Sequence, residues 1–493
     1  MKKIPDVDTI IDKFLPSNSM QTSVIQTSCD TITGAISESI EAMDIEPGLR
    51  FVILRPSGND TCLVYGIIHD EDERKRINDA IMAEYPEVEQ VGFVCFGEAG
   101  NELMMAGGEF CGNATRSAVA LALNGRPGSI TMHVSGASRP LNAGIDEKGN
   151  SWTEMPILSS LDAIQPGKNE QEVVVTMEGI SHIIVFVDTV EADQQVLKQK
   201  AMNLIKEYGL DENPAAGVIF TRNEEGIYII DPIVYVKSID TLIYESGCGS
   251  GTTALAMSLA KQKGQSVEKL EVMQPSGMPI QVSIQLEDNQ FTGATIAGPV
   301  ETLVESQQFK KGTENFSVDT VRSVAALKDI QNKGLTNLYK KVFADPPYCE
   351  SFTDEEVNIM LEEYLADGIL LTARKNKEII AFAATLPLVK VPAVQASLAE
   401  TTDSNAWYIA EVGTAHSMRR KGIGRLLTTM ELTSLPDVRT FIMRTSEKNF
   451  ISQSLHSSLG FKKIEGVAQD VAQARMNEED VETDRRIFMC LNR

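Results

Sequence analysis

Short apolar runs alternate with turn residues along the chain between residues 51 and 300. Gly, Asn and Asp bound these runs, which predicts strands at 51–54, 62–68, 172–177, 182–187, 217–221, 226–230, 233–237 and 279–286. A polar stretch near residues 71–84 has a helical pattern. The richest apolar run, 183–187, has the length of a strand, and no run approaches the ~18 residues of a membrane span.

The pattern changes towards the C-terminus. Residues 317–366 are largely helical in pattern, and an α/β order of strands and helices follows at 369–374, 378–386, 407–414, 422–434, 439–445, 449–459 and 485–491. The preceding segment 303–316 is mostly polar and predicts a linker. Residues 1–48 form an N-terminal extension with short helical patterns, to which the sequence assigns no role.

Composition narrows the class of protein. The 493 residues correspond to roughly three domains at about 150 residues each. The net charge of −24, from 45 Lys and Arg against 69 Asp and Glu, argues against nucleic acid and anionic membranes as partners. The N-terminus has no apolar segment typical of a secretion signal, so we expect a cytoplasmic protein. Seven cysteines without a CxxC pair, and five histidines without ligand spacing, predict neither a disulfide framework nor a metal site.

Two segments, 111–120 and 248–257, resemble each other. Each begins Cys-Gly-x-small-Thr and continues into an Ala-rich helical pattern, and Cys111 and Cys248 lie 137 residues apart. A repeat on this scale indicates two homologous halves.

The repeated motif has a specific chemistry. A cysteine at a helix N-terminus faces unpaired N–H groups and the positive end of the helix dipole, which predicts a lowered thiol pKa. Those N–H groups can also hold a substrate carboxylate, so we expect the motif residues Gly112, Asn113, Gly249 and Ser250 to bind substrate. Two facing thiols can remove a proton from one side of a carbon and return it on the other, without pyridoxal phosphate or metal. A single cysteine is more often simply a small buried residue without a chemical role. We assign this interpretation to the five cysteines outside the two motifs.

These residues resemble the diaminopimelate epimerase superfamily. Segment 109–116 resembles its first cysteine motif, 248–252 its second, and 293–300 the closing strand that returns to the first half. The resemblance implies an α+β fold of two pseudo-symmetric β-barrel halves, each around a central helix, with the active site between them. The halves are expected at 49–150 and 151–302, with the closing strand near 290–302.

Within that superfamily the chain is most similar to the histidine racemases of opine-type metallophore pathways. The Glu-Arg-Gly-x-Gly-Glu-Thr stretch that precedes the second cysteine in the epimerase is absent from 244–248, which argues against diaminopimelate as substrate. The resemblance implies substrate contacts for Asn59 and Glu89. Asn59 as a turn residue and Glu89 as a solvated strand-edge charge are the alternatives. Proline racemases share the second motif and stay open, whereas phenazine-pathway isomerases lack the paired cysteines.

The C-terminal segment 412–427 places a strand before an Arg-x-x-Gly-x-Gly loop and a helix, which resembles the GNAT acyltransferase family over residues 317–493. The resemblance implies that acetyl-CoA is bound by Thr414, Arg419, Arg420, Lys421, Gly422, Ile423, Gly424 and Asn449. Glu411 is a candidate general base for the acceptor amine, with a strand-edge charge as the alternative. His456 stands where family members often have a proton-donating Tyr, and a histidine can carry a proton near neutral pH.

The sequence therefore predicts a bifunctional enzyme. One part racemises a free amino acid, with histidine favoured, and the other transfers an acetyl group from acetyl-CoA to an amine. Two alternatives stay open: an amino-acid sensor that regulates the acetyltransferase, and a racemase of another amino acid such as proline joined to a degenerate GNAT domain. A homodimer is compatible with these patterns.

Overall fold

The computed structural model describes residues 46–97, 100–311, 314–398, 403, 405–472 and 483–493. Two compact units are present, one from residue 51 to 302 and one that contains residues 303–493 together with 46–50. The expected N-terminal extension, residues 1–48, lies outside the described residues apart from its last three. Within the described ranges, no helix is long and apolar enough to cross a membrane.

The first half of the 51–302 unit is built from strands and two helices in the following order: β1 (Glu46–Pro56), β2 (Thr61–Tyr65), α1 (Glu71–Glu84), β3 (Gln90–Gly97), β4 (Gly100–Met105), α2 (Gly112–Ala122), β5 (Gly128–Val134), β6 (Leu141–Ile145) and β7 (Ser151–Glu154). Its central helix α2 packs against β2, β3, β5, β6 and β7. The helix is rich in alanine and other small residues, so the strands can surround it closely.

The second half repeats this order with β8 (Ile164–Pro166), β9 (Glu172–Thr176), β10 (Ser181–Phe186), α3 (Gln194–Glu207), β11 (Ala215–Glu224), β12 (Ile227–Val236), β13 (Thr241–Tyr244), α4 (Gly249–Lys263), β14 (Val267–Met273), β15 (Pro279–Glu287) and β16 (Gln290–Gly298). Residues 249–260 of α4 are all buried, which explains why the helix has no polar face.

The strand pairings reveal the internal symmetry directly. From β1 to β7, successive pairs are antiparallel, parallel, antiparallel, parallel, antiparallel and antiparallel. From β9 to β16 the same order recurs, with β12 pairing directly to β14. The helices α1 and α3 occupy equivalent connections, as do α2 and α4. The predicted α+β fold of two halves around central helices is therefore confirmed.

Strand β16 joins the two halves, because it pairs with β15 on one side and β7 on the other. The first half also extends past residue 150, since β7 (Ser151–Glu154) pairs with β6. The expected boundary at 150/151 therefore falls at the start of the strand that completes the first sheet.

The second unit contains β17 (Val300–Lys311), β18 (Glu314–Val321), α5 (Val324–Asn332), α6 (Leu335–Ala344), α7 (Asp354–Asp367), β19 (Ile369–Lys375), β20 (Glu378–Pro387), α8 (Pro392–Gln395), β21 (Trp407–Thr414), α9 (Ile423–Thr433), β22 (Thr440–Ser446), α10 (Phe450–Ser458), β23 (Lys462–Ala472) and β24 (Thr483–Asn492). The strands β17 to β21 pair antiparallel in chain order, β21 and β22 pair in parallel, and β24 lies between β22 and β23.

The expected linker at 303–316 is wrong. Strands β17 and β18 form a hairpin, and β18 continues the sheet by pairing with β19. Phe309 and Phe316 face each other in this hairpin and belong to the hydrophobic core of the second unit. Because most residues of this segment are polar, its composition resembles a linker although its strands belong to the sheet.

Candidate active sites

The two motif cysteines occupy equivalent positions in the two halves. Cys111 is the N-cap of α2 and Cys248 is the N-cap of α4, and both have extended backbone angles. The Sγ of Cys111 accepts a hydrogen bond from the backbone N–H of Ala114 at 3.4 Å, and that of Cys248 from Gly251 at 3.2 Å. Each thiol thus takes the place of a capping Ser or Asp and lies against the positive end of its helix.

The glycine after each cysteine allows the two helix ends to share one contact. A Cβ on Gly112 would lie 2.7 Å from Cδ1 of Ile296, and a Cβ on Gly249 would lie 2.6 Å from the same atom. Ile296 lies on β16, the strand shared by both halves. The corresponding glycines of the two motifs therefore both pack against Ile296. A larger residue at either position would push the start of its helix away from Ile296.

The thiols have different hydrogen-bond partners. Sγ of Cys111 donates to Oε1 of Gln90 at 2.9 Å, while Cys248 interacts through its side chain with the carboxyl group of Glu245. The backbone N–H of Cys248 donates to Oε1 of Gln274 at 2.9 Å. One thiol thus has a neutral amide as partner and the other a carboxyl group.

The expected lowering of the thiol pKa does not occur in the free protein. Burial raises the pKa of Cys111 to about 12, with a smaller contribution from the negative charge of Glu245. Burial also raises the pKa of Cys248 far above its usual value, and Glu245 adds to this effect. The helix N-terminus acts in the predicted direction, but desolvation in the closed cleft outweighs it.

Three carboxyl groups line the cleft beside the thiols, and Glu109 is the most buried of them. Burial raises the pKa of Glu89 and of Glu109 to about 7 each, and that of Glu245 to about 8. The charges of Glu89 and Glu109 raise the pKa of Glu245 further. All three line one cleft with both cysteines, and the cleft contains about 650 Å³ of empty space, including the part open to solvent. The cleft therefore favours a ligand that brings positive charge.

The two residues expected to contact substrate in the first half form a supporting network. Asn59 is fully buried and donates from Nδ2 to Glu89, while Nε2 of Gln90 donates to Oδ1 of Asn59. Both carboxylate oxygens of Glu89 accept from the backbone N–H of Ser246 at 3.0 Å. Glu89 lines the cleft, whereas the amide of Asn59 is occupied in orienting Glu89 and Gln90.

Asn113 also has a structural bond across the halves. Its Nδ2 donates to the carbonyl of Gly247 at 2.7 Å, and its Oδ1 accepts from Arg116 at 2.8 Å. The side chain of Asn113 thus fixes the loop before Cys248, and its backbone N–H faces the thiol of Cys111. Gly112, Gly249, Asn113 and Ser250, which were predicted to bind substrate, line the cleft.

The sequence interpretation missed Gln90, Gln274, Glu109 and Glu245 as functional candidates. Glu109 and Glu245 stand two and three positions before their cysteines, and Gln90 follows Glu89 directly. Glu109, Glu245 and Gln90 could therefore have been found by considering the polar residues next to the predicted site residues. Gln274 lies 26 positions from its partner, so nothing local identifies it. Among the described residues, no group of three His, Cys, Asp or Glu is arranged to hold a metal ion.

In the second unit, the predicted phosphate loop precedes α9. Gly422 has a φ of 85°, a backbone conformation that favours glycine, and no side chain caps the helix start. A Cβ on Gly424 would meet nothing closer than 3.6 Å, so the protein itself leaves room above the helix N-terminus. These features fit the pyrophosphate of acetyl-CoA, because the uncapped N–H groups can bind an anion.

The loop side chains have other partners. Arg419 donates to Oδ2 of Asp345 at 2.7 Å and to the carbonyl of Thr414, and Lys421 donates to Oε1 of Glu314 at 2.5 Å. Ile423 is buried in the core, so its backbone N–H alone can reach a ligand. Arg420 is exposed and has a φ of 66°. The loop therefore presents mainly backbone groups, and Arg419 and Lys421 hold its conformation.

Glu411 lies where two neighbouring strands separate. The parallel pairing of β21 and β22 covers Trp407–Ile409 and Phe441–Met443, although both strands continue beyond it. The carboxylate of Glu411 accepts hydrogen bonds from the hydroxyls of Tyr339 at 2.9 Å and Tyr364 at 3.2 Å. Burial raises the pKa of Glu411 to about 7, which suits a base that works near neutral pH. The two tyrosines come from α6 and α7 and were not predicted.

His456 is buried against the end of its own helix. Its Nδ1 lies 2.8 Å from the carbonyl of Ser452, which can only accept, so Nδ1 carries the hydrogen. The ring packs edge-on against Phe461 at 5.3 Å. Burial lowers the pKa of His456, so the expectation that it carries a proton near neutral pH is wrong.

A tyrosine from another segment lies beside α10. Asn449 caps the helix by accepting from the N–H of Ser452 at 3.1 Å, and its Nδ2 donates to the hydroxyl of Tyr348 at 3.2 Å. The Tyr348 hydroxyl also lies 2.9 Å from Oγ1 of Thr445. Tyr348 is therefore a candidate, besides His456, for protonating a leaving thiolate. It was not predicted from the sequence because it is about 100 positions from Asn449.

Two family models match the chain. Residues 48–309 match the histidine racemase CntK N-terminal domain, and residues 324–461 match the acetyltransferase (GNAT) family. A histidine racemase of Fusobacterium nucleatum is 31% identical over 273 residues, which cover 53% of this chain and 97% of that protein. A histidine racemase of Staphylococcus aureus is 26% identical over 272 residues, with 53% and 97% covered.

Solved structures also resemble the two parts of the chain. A hydroxyproline epimerase from Agrobacterium vitis has 14% identity and a TM-score of 0.38, with 55% of this chain and 94% of that chain covered. A ribosomal-protein-alanine N-acetyltransferase from Brucella melitensis has 17% identity and a TM-score of 0.26, with 34% and 96% covered.

Proposed function

Because the chain belongs to the histidine racemase family and also carries a GNAT acetyltransferase domain, we propose that residues 51–302 racemise free histidine with two thiols. Cys111 and Cys248 act as acid and base on opposite faces of the α-carbon. The observation that supports this most strongly is the pair of thiol-capped helices whose first glycines both contact Ile296 beside one cleft.

The helix N-termini hold the substrate carboxylate in this proposal. The first N–H groups of a helix have no partner within it, and those of Gly112, Asn113, Gly249 and Ser250 lie at the cleft. A carboxylate bound between both helices places the α-carbon between the thiols. It also stabilises the negative charge that develops when the α-proton leaves.

In this proposal, the bound substrate lowers the pKa values of the two thiols again. Burial disfavours a thiolate at both cysteines, and the charge of Glu245 adds to this effect, with a smaller contribution from Glu109 at Cys111. The α-ammonium group of an amino acid adds a positive charge beside these carboxylates and reverses that balance. The proposal needs neither pyridoxal phosphate nor metal, since the thiols themselves move the proton.

Solvent exchange tests this function. The reduced, full-length protein is incubated with L-histidine in deuterated water, and the α-proton signal and the D-enantiomer are followed together. We expect loss of the α-proton signal with formation of D-histidine. L-proline is the matched comparison, and exchange of proline without histidine would refute the choice of substrate. Tight histidine binding without any exchange would instead support the sensor alternative.

For the second unit we propose that Glu411 accepts the proton of an acceptor amine. Acetyl-CoA supplies the thioester that the amine attacks. The buried carboxylate, held by Tyr339 and Tyr364, is basic near pH 7 and lies where β21 and β22 separate. Thiol release from acetyl-CoA in the presence of L- and D-histidine tests this activity. No release with any amine, together with no thermal stabilisation by acetyl-CoA, would support the degenerate-domain alternative.

A further inference from the structure

Two buried oxygen atoms in the racemase cleft have no hydrogen-bond partner among the described residues. They are Oδ1 of Asn78 and Oε2 of Glu109, and both residues line the cleft. The carboxyl group of Glu109 as a whole also interacts with the backbone N–H groups of Gly107 and Glu109, so the geometry leaves only its one oxygen for a ligand. Asn78 is 1% exposed and Glu109 is 9% exposed. Buried polar atoms in native proteins nearly always have partners, so two orphans in one cleft point to a ligand that supplies them.

The fold places both residues on the same wall. Arg74 and Asn78 are four positions apart on α1 and therefore share one helix face. Nε of Arg74 donates to the carbonyl of Ala106 at 3.1 Å, which fixes that face against the chain segment that leads to Glu109. Asn78 and Glu109 thus approach each other from two elements, and Cys111 lies two residues beyond Glu109.

The rest of this wall is apolar. Met82, Ile180, Val234, Val236 and Ile239 line the cleft with the two orphan oxygens. An aliphatic substrate side chain would bury both oxygens without partners. A small flat ring with N–H donors satisfies both the shape and the oxygens.

We infer that Asn78 and Glu109 form a subsite for a substrate side-chain ring that donates hydrogen bonds, and that this subsite makes the racemase prefer an imidazole over an aliphatic side chain. The inference rests on the proposed racemase function of the same cleft. It assigns substrate choice to residues outside the thiol pair, and it disfavours proline, whose side chain has no hydrogen-bond donor.

Calorimetric binding to the full-length protein tests the subsite independently of turnover. The probes are L-histidine and L-β-(2-thienyl)alanine, which has a ring of equal size without an N–H donor. A site built to bond an N–H group rejects an analogue without it strongly, so we expect wild type to bind histidine at least about 100-fold more tightly.

Variants separate the subsite from a structural effect. Asn78→Leu and Glu109→Leu remove an acceptor and are expected to reduce the preference for histidine about tenfold or more, with little loss of thienylalanine binding. Glu109→Gln keeps an acceptor oxygen and should retain the preference within about threefold. Ile77→Leu, beside Asn78 on α1, changes a buried apolar side chain outside the cleft lining without removing an acceptor and is the matched control.

The outcomes distinguish the two proposals. Equal losses for both ligands, or a wild-type protein that does not discriminate, would overturn the subsite. Discrimination for histidine without α-proton exchange would leave the subsite standing and overturn the racemase function. α-Proton exchange of histidine by a protein that binds histidine and thienylalanine equally well would overturn the subsite and leave the racemase function standing.

Discussion

The substitution Gly249→Ala tests whether the two helix ends are packed as tightly as the structure indicates. The added methyl group would lie 2.6 Å from Cδ1 of Ile296, which is itself fully buried. Carbon atoms pack at about 3.5–4.0 Å, so one group must move by about 1 Å. Overpacking of this kind costs about 1–3 kcal/mol. Alanine recovers at most about 1 kcal/mol over glycine within a helix, so we expect a net loss of about 0–3 kcal/mol of unfolding free energy.

A second substitution isolates that contact. Ile296→Val removes Cδ1 and by itself costs about 0.5–1.5 kcal/mol. In that background Gly249→Ala should be neutral or stabilising by up to about 1 kcal/mol, which gives a coupling energy of about 1–3 kcal/mol in a double-mutant cycle.

Urea unfolding measures the cycle. The chain has two tryptophans, Trp152 on β7 and Trp407 on β21. With Trp407→Phe in every variant, tryptophan fluorescence reports the 51–302 unit alone. If Gly249→Ala costs the same with Ile and with Val at position 296, the packing argument is refuted.

Two further predictions concern the second unit. Glu411→Gln should reduce the kcat of acetyl transfer by about 10²–10⁴-fold. In wild type the rate should rise with pH through about 7, because the base works only when it has lost its proton; a pH-independent wild-type rate would exclude this role. Glu431 is fully buried, both its oxygens lack partners among the described residues, and burial raises its pKa far above the usual value. Its ionisation in the unfolded state therefore destabilises the fold progressively above about pH 4.3, so Glu431→Gln should be nearly neutral at pH 4 and stabilising at pH 8. Equal unfolding free energies of the two proteins at pH 8 would contradict this.

The features that the sequence predicts are those determined by residues close to one another in the chain. The helix starts at Cys111 and Cys248 follow from a cysteine, a glycine and a run of small residues, and the structure has both helices at these positions. The strand and helix order of the second unit from residue 369 to 458 was also predicted closely, because its apolar runs are short and well bounded. The fold class and the two enzyme families are confirmed.

The features that sequence alone did not predict depend on contacts between distant residues. The bond from Cys248 to Gln274 and the bond from Tyr339 to Glu411 join residues 26 and 72 positions apart. The thiol pKa values depend on burial, which no local motif encodes. Arg419 was expected to bind phosphate, but its guanidinium group donates to the carboxylate of Asp345, which lies on another segment.

The central claim is that both thiols move the α-proton, and single cysteine variants test it most directly. Cys111→Ser and Cys248→Ser keep the helix caps, because serine also caps a helix N-terminus. α-Proton exchange of histidine in deuterated water is measured for each variant, with acetyl transfer by the same preparation as the control for folding. The account predicts that racemisation is lost in both variants while acetyl transfer continues. Racemisation at the wild-type rate in either variant would contradict it.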